Sequence, residues 1–176
     1  MKIHNLLIIA GTGTNSGKTS LACRIIESFP DLKITAIKIT PHFHETTPGL
    51  VLKSEQEGFV VYEETNGDSS KDTSRMIKAG AAKVYFAKVK DNKLFEAFIE
   101  IMKEVPAGTP IICESPALRN FVEPGVFVIM TSDIIVKHKN IKHLQALPHL
   151  MIRLEELEKH ENIPVGYEHG KWKILP

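Results

Sequence analysis

The chain has 176 residues, of which 43% are hydrophobic and 24% are charged, and its formal net charge at pH 7 is +1. This length and composition predict one α/β domain over residues 1–176 with a hydrophobic core of its own. The small net charge gives no electrostatic reason to expect a nucleic-acid partner or an anionic membrane surface. The N-terminus leads directly into an apolar segment and no apolar stretch is long enough to span a bilayer, so we expect a cytoplasmic protein.

Short apolar segments alternate with helix-like segments along the chain. We predict strands near residues 3–10, 34–40, 59–63, 84–89, 111–114 and 126–130. We predict helices near residues 18–28, 72–79, 93–103 and 141–159, the last interrupted by Pro148. Continuous apolar strands separated by helices are typical of a mainly parallel sheet with helices on both faces. The sequence of residues 163–174 predicts a β-hairpin that turns at His169 and Gly170.

A glycine-rich segment follows the first predicted strand and precedes the first predicted helix. It comprises Gly11, Thr12, Gly13, Thr14, Asn15, Ser16, Gly17, Lys18, Thr19 and Ser20. Such a unit binds phosphate because backbone N–H groups converge on the anion at the first turn of the helix. Lys18 supplies a positive charge for the terminal phosphates, and the Thr19 hydroxyl is placed to ligate Mg²⁺ carried by the nucleotide. We therefore predict a P-loop that binds a nucleoside triphosphate, although Thr12 stands where the strict motif has its first glycine.

Three further residues lie where predicted strands end or helices begin. Lys38 closes the second strand, Asp72 opens the second helix and Glu114 ends an apolar strand. Ligands of parallel sheets bind at the carboxyl ends of the strands, which makes Lys38 and Lys18 candidate catalytic residues. Mg²⁺ on a triphosphate needs only one or two protein oxygens, and Asp72 and Glu114 offer them. Asp72 also suits a helix N-cap, and Glu114 also suits an exposed strand end.

Together, these features resemble the MobB family of molybdopterin-guanine dinucleotide biosynthesis proteins. Residues 71–81, with the sequence KDTSRMIKAGA, match the Lys-Asp-Ser-x-Arg stretch and the Lys-Ala-Gly-Ala that follows it in MobB-like chains. The chain is also similar to dethiobiotin synthetase, a relative of the same P-loop class. That likeness implies that Thr19, Asp72 and Glu114 hold magnesium. The resemblance further implies a P-loop NTPase fold, ATP or GTP as ligand, and a homodimer.

Three functions remain open at this point. The first is a MobB-like accessory NTPase in molybdopterin cofactor biosynthesis, which the short chain favours. The second is a ligase-type enzyme like dethiobiotin synthetase, acting on a small carboxylate or carbamate, and the third is a nucleotide-sensing interaction protein. The residues around Glu114 depart from the usual pattern of both families. No Asn-Lys-x-Asp motif follows residues 126–130, so the sequence does not distinguish ATP from GTP.

Two loops are expected beside the terminal phosphate, over residues 40–57 and 115–125. They carry His42, His44, Lys53 and Arg119, a cationic set suited to a small anionic substrate. His42 and His44 also have the spacing of a metal-binding pair, and the same loops could instead cover a homodimer contact.

Overall fold

The structure is a computed structural model that describes residues 1–43, 46–135, 137–159 and 162–176. Within these ranges the strands are β1 Lys2–Gly11, β2 Thr35–Thr40, β3 Leu50–Gln56, β4 Phe59–Glu64, β5 Lys83–Val89, β6 Ile111–Glu114, β7 Glu123–Thr131, β8 Leu150–Arg153, β9 Val165–Glu168 and β10 Lys171–Ile174. The α-helices are α1 Lys18–Ser28, α2 Asp72–Lys78, α3 Leu94–Glu104, α4 Lys142–Gln145 and α5 Leu154–Lys159, and two 3₁₀ segments span Asp91–Lys93 and Pro116–Asn120.

One large mixed sheet organises the chain. Its strand order is β3-β4-β5-β2-β6-β1-β7-β8, and every pair from β5 to β8 is parallel. β4 runs antiparallel to both β3 and β5. The central strand β1 is apolar and fully buried from Leu6 to Ala10, as expected of a strand covered on both faces. The prediction of an α/β fold with a mainly parallel sheet is confirmed.

Two hydrophobic layers flank the sheet. On one face, Leu7 and Ile9 of β1 belong to a core with α1, α2, α5 and the β9–β10 hairpin. On the other face, Leu6 and Ile8 belong to a core with α3, α4 and the second 3₁₀ segment. Alternate residues of one strand therefore supply both layers, because successive side chains of a strand point to opposite faces.

The predicted hairpin at the C-terminal end of the sequence is present. β9 and β10 pair antiparallel, and the turn residues His169 and Gly170 have φ values of 50° and 74°. Positive φ at both central positions is the geometry of a type I′ turn. Trp172 anchors the hairpin on the core by donating from Nε1 to the carbonyl of Ile111 at 3.1 Å.

The helical segment predicted over residues 141–159, with its interruption at Pro148, is helical at its two ends but not in between. The segment forms α4, the short strand β8 and α5, and Pro148 lies between α4 and β8. Ile152 of β8 pairs with Met130 of β7 and joins the buried core. Sheet extension at this edge therefore overrides the helical pattern of the sequence.

Residues 40–57 are also more regular than the predicted loop. They contain β3, whose apolar run is only three residues long, from Leu50 to Leu52, and whose side chains are mostly exposed. Its backbone pairs with β4 along Leu50 to Gln56.

None of the helices in the described ranges is long and apolar enough to cross a membrane.

Candidate nucleotide site

The register of the parallel strands brings distant residues together at one edge of the sheet. β6 lies between β1 and β2, and Glu114 is level with Ile9 on one side and with Lys38 on the other. The glycine-rich loop, residues 11–20, leaves β1 at the same edge. Sequence positions nearly 100 residues apart therefore meet at the carboxyl ends of three adjacent strands.

The glycine-rich loop presents backbone donors. In the described chain, no backbone carbonyl accepts a hydrogen bond from the N–H groups of residues 15–19. Asn15 and Gly17 have positive φ values of 63° and 87°, so the loop curls on itself before α1 begins. A Cβ atom at Gly11 would lie 2.0 Å from the Ser16 hydroxyl, so the curl requires glycine there. The arrangement is one that binds an anion.

Lys18 folds back over this loop. Its Nζ donates to the Gly13 carbonyl at 3.2 Å and to the Ser16 hydroxyl at 3.3 Å. Burial lowers the pKa of Lys18. The charge of Glu114 opposes that effect, whereas the positive charges of Lys139 and Lys38 reinforce it. A phosphate in the loop would compensate the charge of this partly buried ammonium group.

Four polar side chains form a cluster under the first turn of α1. The hydroxyl of Thr19 donates to Oε2 of Glu114 at 2.8 Å, and Nζ of Lys38 donates to Oε1 of the same carboxylate at 3.2 Å. Lys38 also pairs with Asp72 at the start of α2. Glu114 is only 5% exposed, so these partners offset the cost of burying its charge.

The ionisation of the cluster follows from these contacts. Burial favours the neutral form of Lys38, but the charges of Glu114 and Asp72 outweigh it and raise the pKa of Lys38 above its ordinary value. Burial likewise raises the pKa of Asp72, but the charge and hydrogen bond of Lys38 prevail and the pKa is lowered. Both shifts favour the charged forms, so at neutral pH Lys38 and Asp72 form an ion pair.

The donor set fits magnesium. Thr19, Asp72 and Glu114 offer hydroxyl and carboxylate oxygens, the hard ligands that Mg²⁺ prefers. Lys38 pairs with both carboxylates and so holds them at the same edge of the sheet. Asp72 is the first residue of α2 and the N-cap position is occupied by Lys71, so the expected N-cap role of Asp72 is wrong.

α2 also contacts the glycine-rich loop through Arg75. The guanidinium group of Arg75 donates to the hydroxyl of Ser20 at 3.3 Å and lies 3.7 Å from the carboxylate of Asp72. The segment 71–81, which carries the family resemblance, thus adjoins the loop that was predicted to bind phosphate.

Two residues of the cationic set predicted beside the terminal phosphate, Lys53 and Arg119, lie elsewhere in the structure. Lys53 lies away from the loop, because it pairs with Glu63 at 3.5 Å and with Glu104 at the end of α3 at 3.4 Å. Arg119 lies in the 3₁₀ segment that carries the chain back from the end of β6 to the start of β7.

At that far end of the sheet, Arg119 lines a cavity of about 710 Å³ with residues from the beginnings of β1 and β7. Residues 115–125 therefore leave the phosphate edge within a few residues. His42 is exposed, and its backbone N–H donates to the hydroxyl of Thr40. His44 lies outside the described residues.

A cavity of about 200 Å³ opens beside Lys38 and Asp72 instead. It is lined by Lys38, Thr40, Thr47, Leu50, Lys71, Asp72, Thr73, Phe86 and Lys88. The sequence interpretation missed Lys88, which is 5% exposed, although it precedes the end of an apolar strand much as Lys38 does. It also missed Lys139, for which the sequence carries no signal.

In comparisons with protein-family models, curated proteins and solved structures, no match to the chain is found. The function must therefore be argued from the geometry and from the motif residues.

We expect replacement of Lys38 by Met to destabilise the protein more at neutral pH than in acid. The variant leaves Glu114 buried without its cation, which costs about 3 kcal/mol in free energy of unfolding. In the wild type Lys38 lowers the pKa of Asp72, so the stability that this pair contributes is fully present above about pH 4 and is lost as the pH falls further. The variant lacks this contribution, so its loss of stability relative to the wild type should be larger at about pH 7 than at about pH 3.

Urea denaturation at both pH values, followed by Trp172 fluorescence, measures this effect. Lys33→Met is the matched control, because Lys33 is an exposed lysine outside the cluster. An equal loss of stability at both pH values would show that the pairing of Lys38 with the carboxylates is energetically unimportant.

Proposed function

We propose that this chain is a Mg²⁺-dependent nucleoside triphosphate-binding protein with a P-loop NTPase fold, and that it cleaves or transfers the terminal phosphoryl group. The observation that carries the proposal is the convergence of Thr19, Lys38, Asp72 and Glu114 beside the glycine-rich loop. An isolated Gly-Lys-Thr turn would not require two carboxylates and a second lysine from three other elements.

The chemistry asks little more of the protein than position and charge. Phosphoryl transfer proceeds mainly through alignment of the groups and electrostatic stabilisation of the phosphate oxygens. The N–H groups of residues 15–19 would hold the phosphates, and Lys18 and Lys38 are the cations available to the terminal group. Thr19, Asp72 and Glu114 would hold Mg²⁺, directly or through its waters, and the ion would neutralise charge on the phosphate oxygens.

The resemblance of residues 71–81 to MobB-like proteins supports an accessory NTPase in molybdopterin cofactor biosynthesis. The contacts of Asp72 with Lys38 and of Arg75 with Ser20 support a role for the matching segment beside the proposed nucleotide site. A homodimer and a cytoplasmic location belong to the same proposal. ATP and GTP remain equal candidates.

The cavity beside Lys38 favours a second candidate function, a ligase-type transfer to a small carboxylate or carbamate. The lining of this cavity contains three lysines, Lys38, Lys71 and Lys88, and one carboxylate, that of Asp72. The excess of positive charge makes the cavity suited to an anion. Lys88 is buried, and its ammonium group lies 5.5 Å from the centre of the Tyr62 ring. The cavity holds the equivalent of about seven water volumes, which limits the acceptor to a small molecule.

Replacing Lys18 by Ala should weaken the binding of Mg·ATP or Mg·GTP by about tenfold or more, since a charge-assisted contact to phosphate is lost. Isothermal titration calorimetry measures the affinity, and Lys33→Ala is the matched control. Unchanged affinity of the Lys18 variant for both nucleotides would contradict the proposed function.

Asp72→Asn and Glu114→Gln should each raise the Mg²⁺ concentration needed for half-maximal phosphate release by about tenfold, because a neutral amide holds the ion more weakly. Asp31→Asn, an exposed site away from the cluster, is the control. Phosphate release is measured against Mg²⁺ at saturating nucleotide. A midpoint that stays at the wild-type value in both variants would remove the carboxylates from the metal site.

Lys88→Met should abolish stimulation of phosphate release by small carboxylates if the cavity receives an acceptor. The substitution keeps the length of the side chain and removes its charge. Lys90→Met, just beyond the end of β5, is the control. The measurement compares phosphate release with and without a panel of mono- and dicarboxylates. Stimulation that persists in the Lys88 variant, or is absent from the wild type, would rule out the ligase-type function and leave the nucleotide site unaffected.

A further inference from the structure

The segment that follows β7 returns to the glycine-rich loop and pairs with it. The backbone N–H of Thr14 donates to the carbonyl of Lys137 at 3.0 Å, and the N–H of Lys139 donates to the carbonyl of Thr12 at 2.8 Å. Between these bonds, Gly13 and His138 form an antiparallel bridge. A short two-stranded pairing thus joins residues 137–139 to the beginning of the loop.

The close approach of this segment explains Gly13. A Cβ atom there would lie 2.3 Å from the carbonyl oxygen of Lys137 and 2.5 Å from the side chain of Ile135. Any larger residue would displace the pairing. The second glycine of the motif is therefore needed for the contact with Ile135 and Lys137, whatever it contributes to phosphate approach.

The segment is also anchored at its other end. Glu155 accepts hydrogen bonds from the hydroxyl of Ser132 at 2.7 Å and from the N–H of Asp133 at 2.9 Å. Arg153 donates to both carboxylate oxygens of Asp133 at 2.7 Å. The turn after β7 is thus tied to β8 and α5, and its far end to the loop.

This pairing brings a further lysine to the loop. Lys139 is exposed, and its backbone is held at Thr12 by the 2.8 Å hydrogen bond. Among the described residues no carboxylate forms an ion pair with Lys139. An ammonium group held beside the loop without a carboxylate partner attracts a bound polyanion.

We propose that Lys139 is a further phosphate-binding cation of the nucleotide site, contributed by the segment that pairs with the glycine-rich loop. Its ligand is the polyphosphate group rather than the base or sugar, because the pairing holds it at Thr12, beside the phosphate-binding part of the loop. This inference rests on the proposed function and adds a residue that the motif does not contain.

The test compares Lys139→Ala with the wild type for binding of Mg·ATP, Mg·GTP and Mg·tripolyphosphate by calorimetry. Tripolyphosphate has no base or sugar, so it isolates the phosphate contact. We expect Lys139→Ala to weaken all three by a similar factor of about ten, and Lys139→Arg to restore most of the affinity. Lys142→Ala, a nearby exposed lysine outside the pairing, should bind like the wild type.

The results of these titrations distinguish the proposed function from the role of Lys139. A wild type that binds none of the three probes overturns the proposed function and this inference with it. A wild type that binds them, with Lys139→Ala equal to it, overturns only the role of Lys139. A loss for the nucleotides without a loss for tripolyphosphate would assign Lys139 to the base or sugar and overturn the phosphate contact.

Discussion

The buried carboxylate of Glu114 is the constraint on which the site depends. It ends the central strand β6 and is almost inaccessible to water, so its charge requires partners within the protein. The hydroxyl of Thr19 and the ammonium group of Lys38 provide them. Because Lys38 also pairs with Asp72, one buried charge ties α1, β2 and α2 to the same edge of the sheet.

The glycines of the loop satisfy a second, steric constraint. Gly11 leaves room for the hydroxyl of Ser16, and Gly13 leaves room for the backbone of Lys137. Gly17 adopts a positive φ, and a Cβ there would lie 2.8 Å from the side chain of Leu154. The glycines of a motif that is usually explained by its ligand are therefore also needed for the close packing of the loop on β7 and α5.

Charge is distributed unevenly around the loop. The carboxylates of Asp72 and Glu114 lie on the side of the loop formed by β2, β6 and α2, whereas Lys139 lies on the β7 side. The pKa of Lys18 responds to both sides, since Glu114 and Lys139 act on it in opposite directions. In the proposed function, the carboxylate side would hold the metal and Lys139 would add positive charge on the other side. In the second candidate function, the small cavity beyond Lys38 would receive the acceptor.

Local pattern was sufficient for the parts of the molecule that depend on near neighbours. The apolar runs of β1 and β6, the loop before α1 and the turn at His169 were predictable, since each follows from burial, glycine spacing or turn chemistry within a few residues. β8 was not, because its four residues become a strand only by pairing with β7. The contact of Lys139 with the loop was not predictable either, because it is made by backbone groups more than 120 residues apart in the sequence. Sequence alone determined the glycine-rich loop and the polar residues at the strand ends. The register of parallel strands and the long-range pairing decided which of them meet and added Lys139, because those contacts exist only after the sheet has assembled.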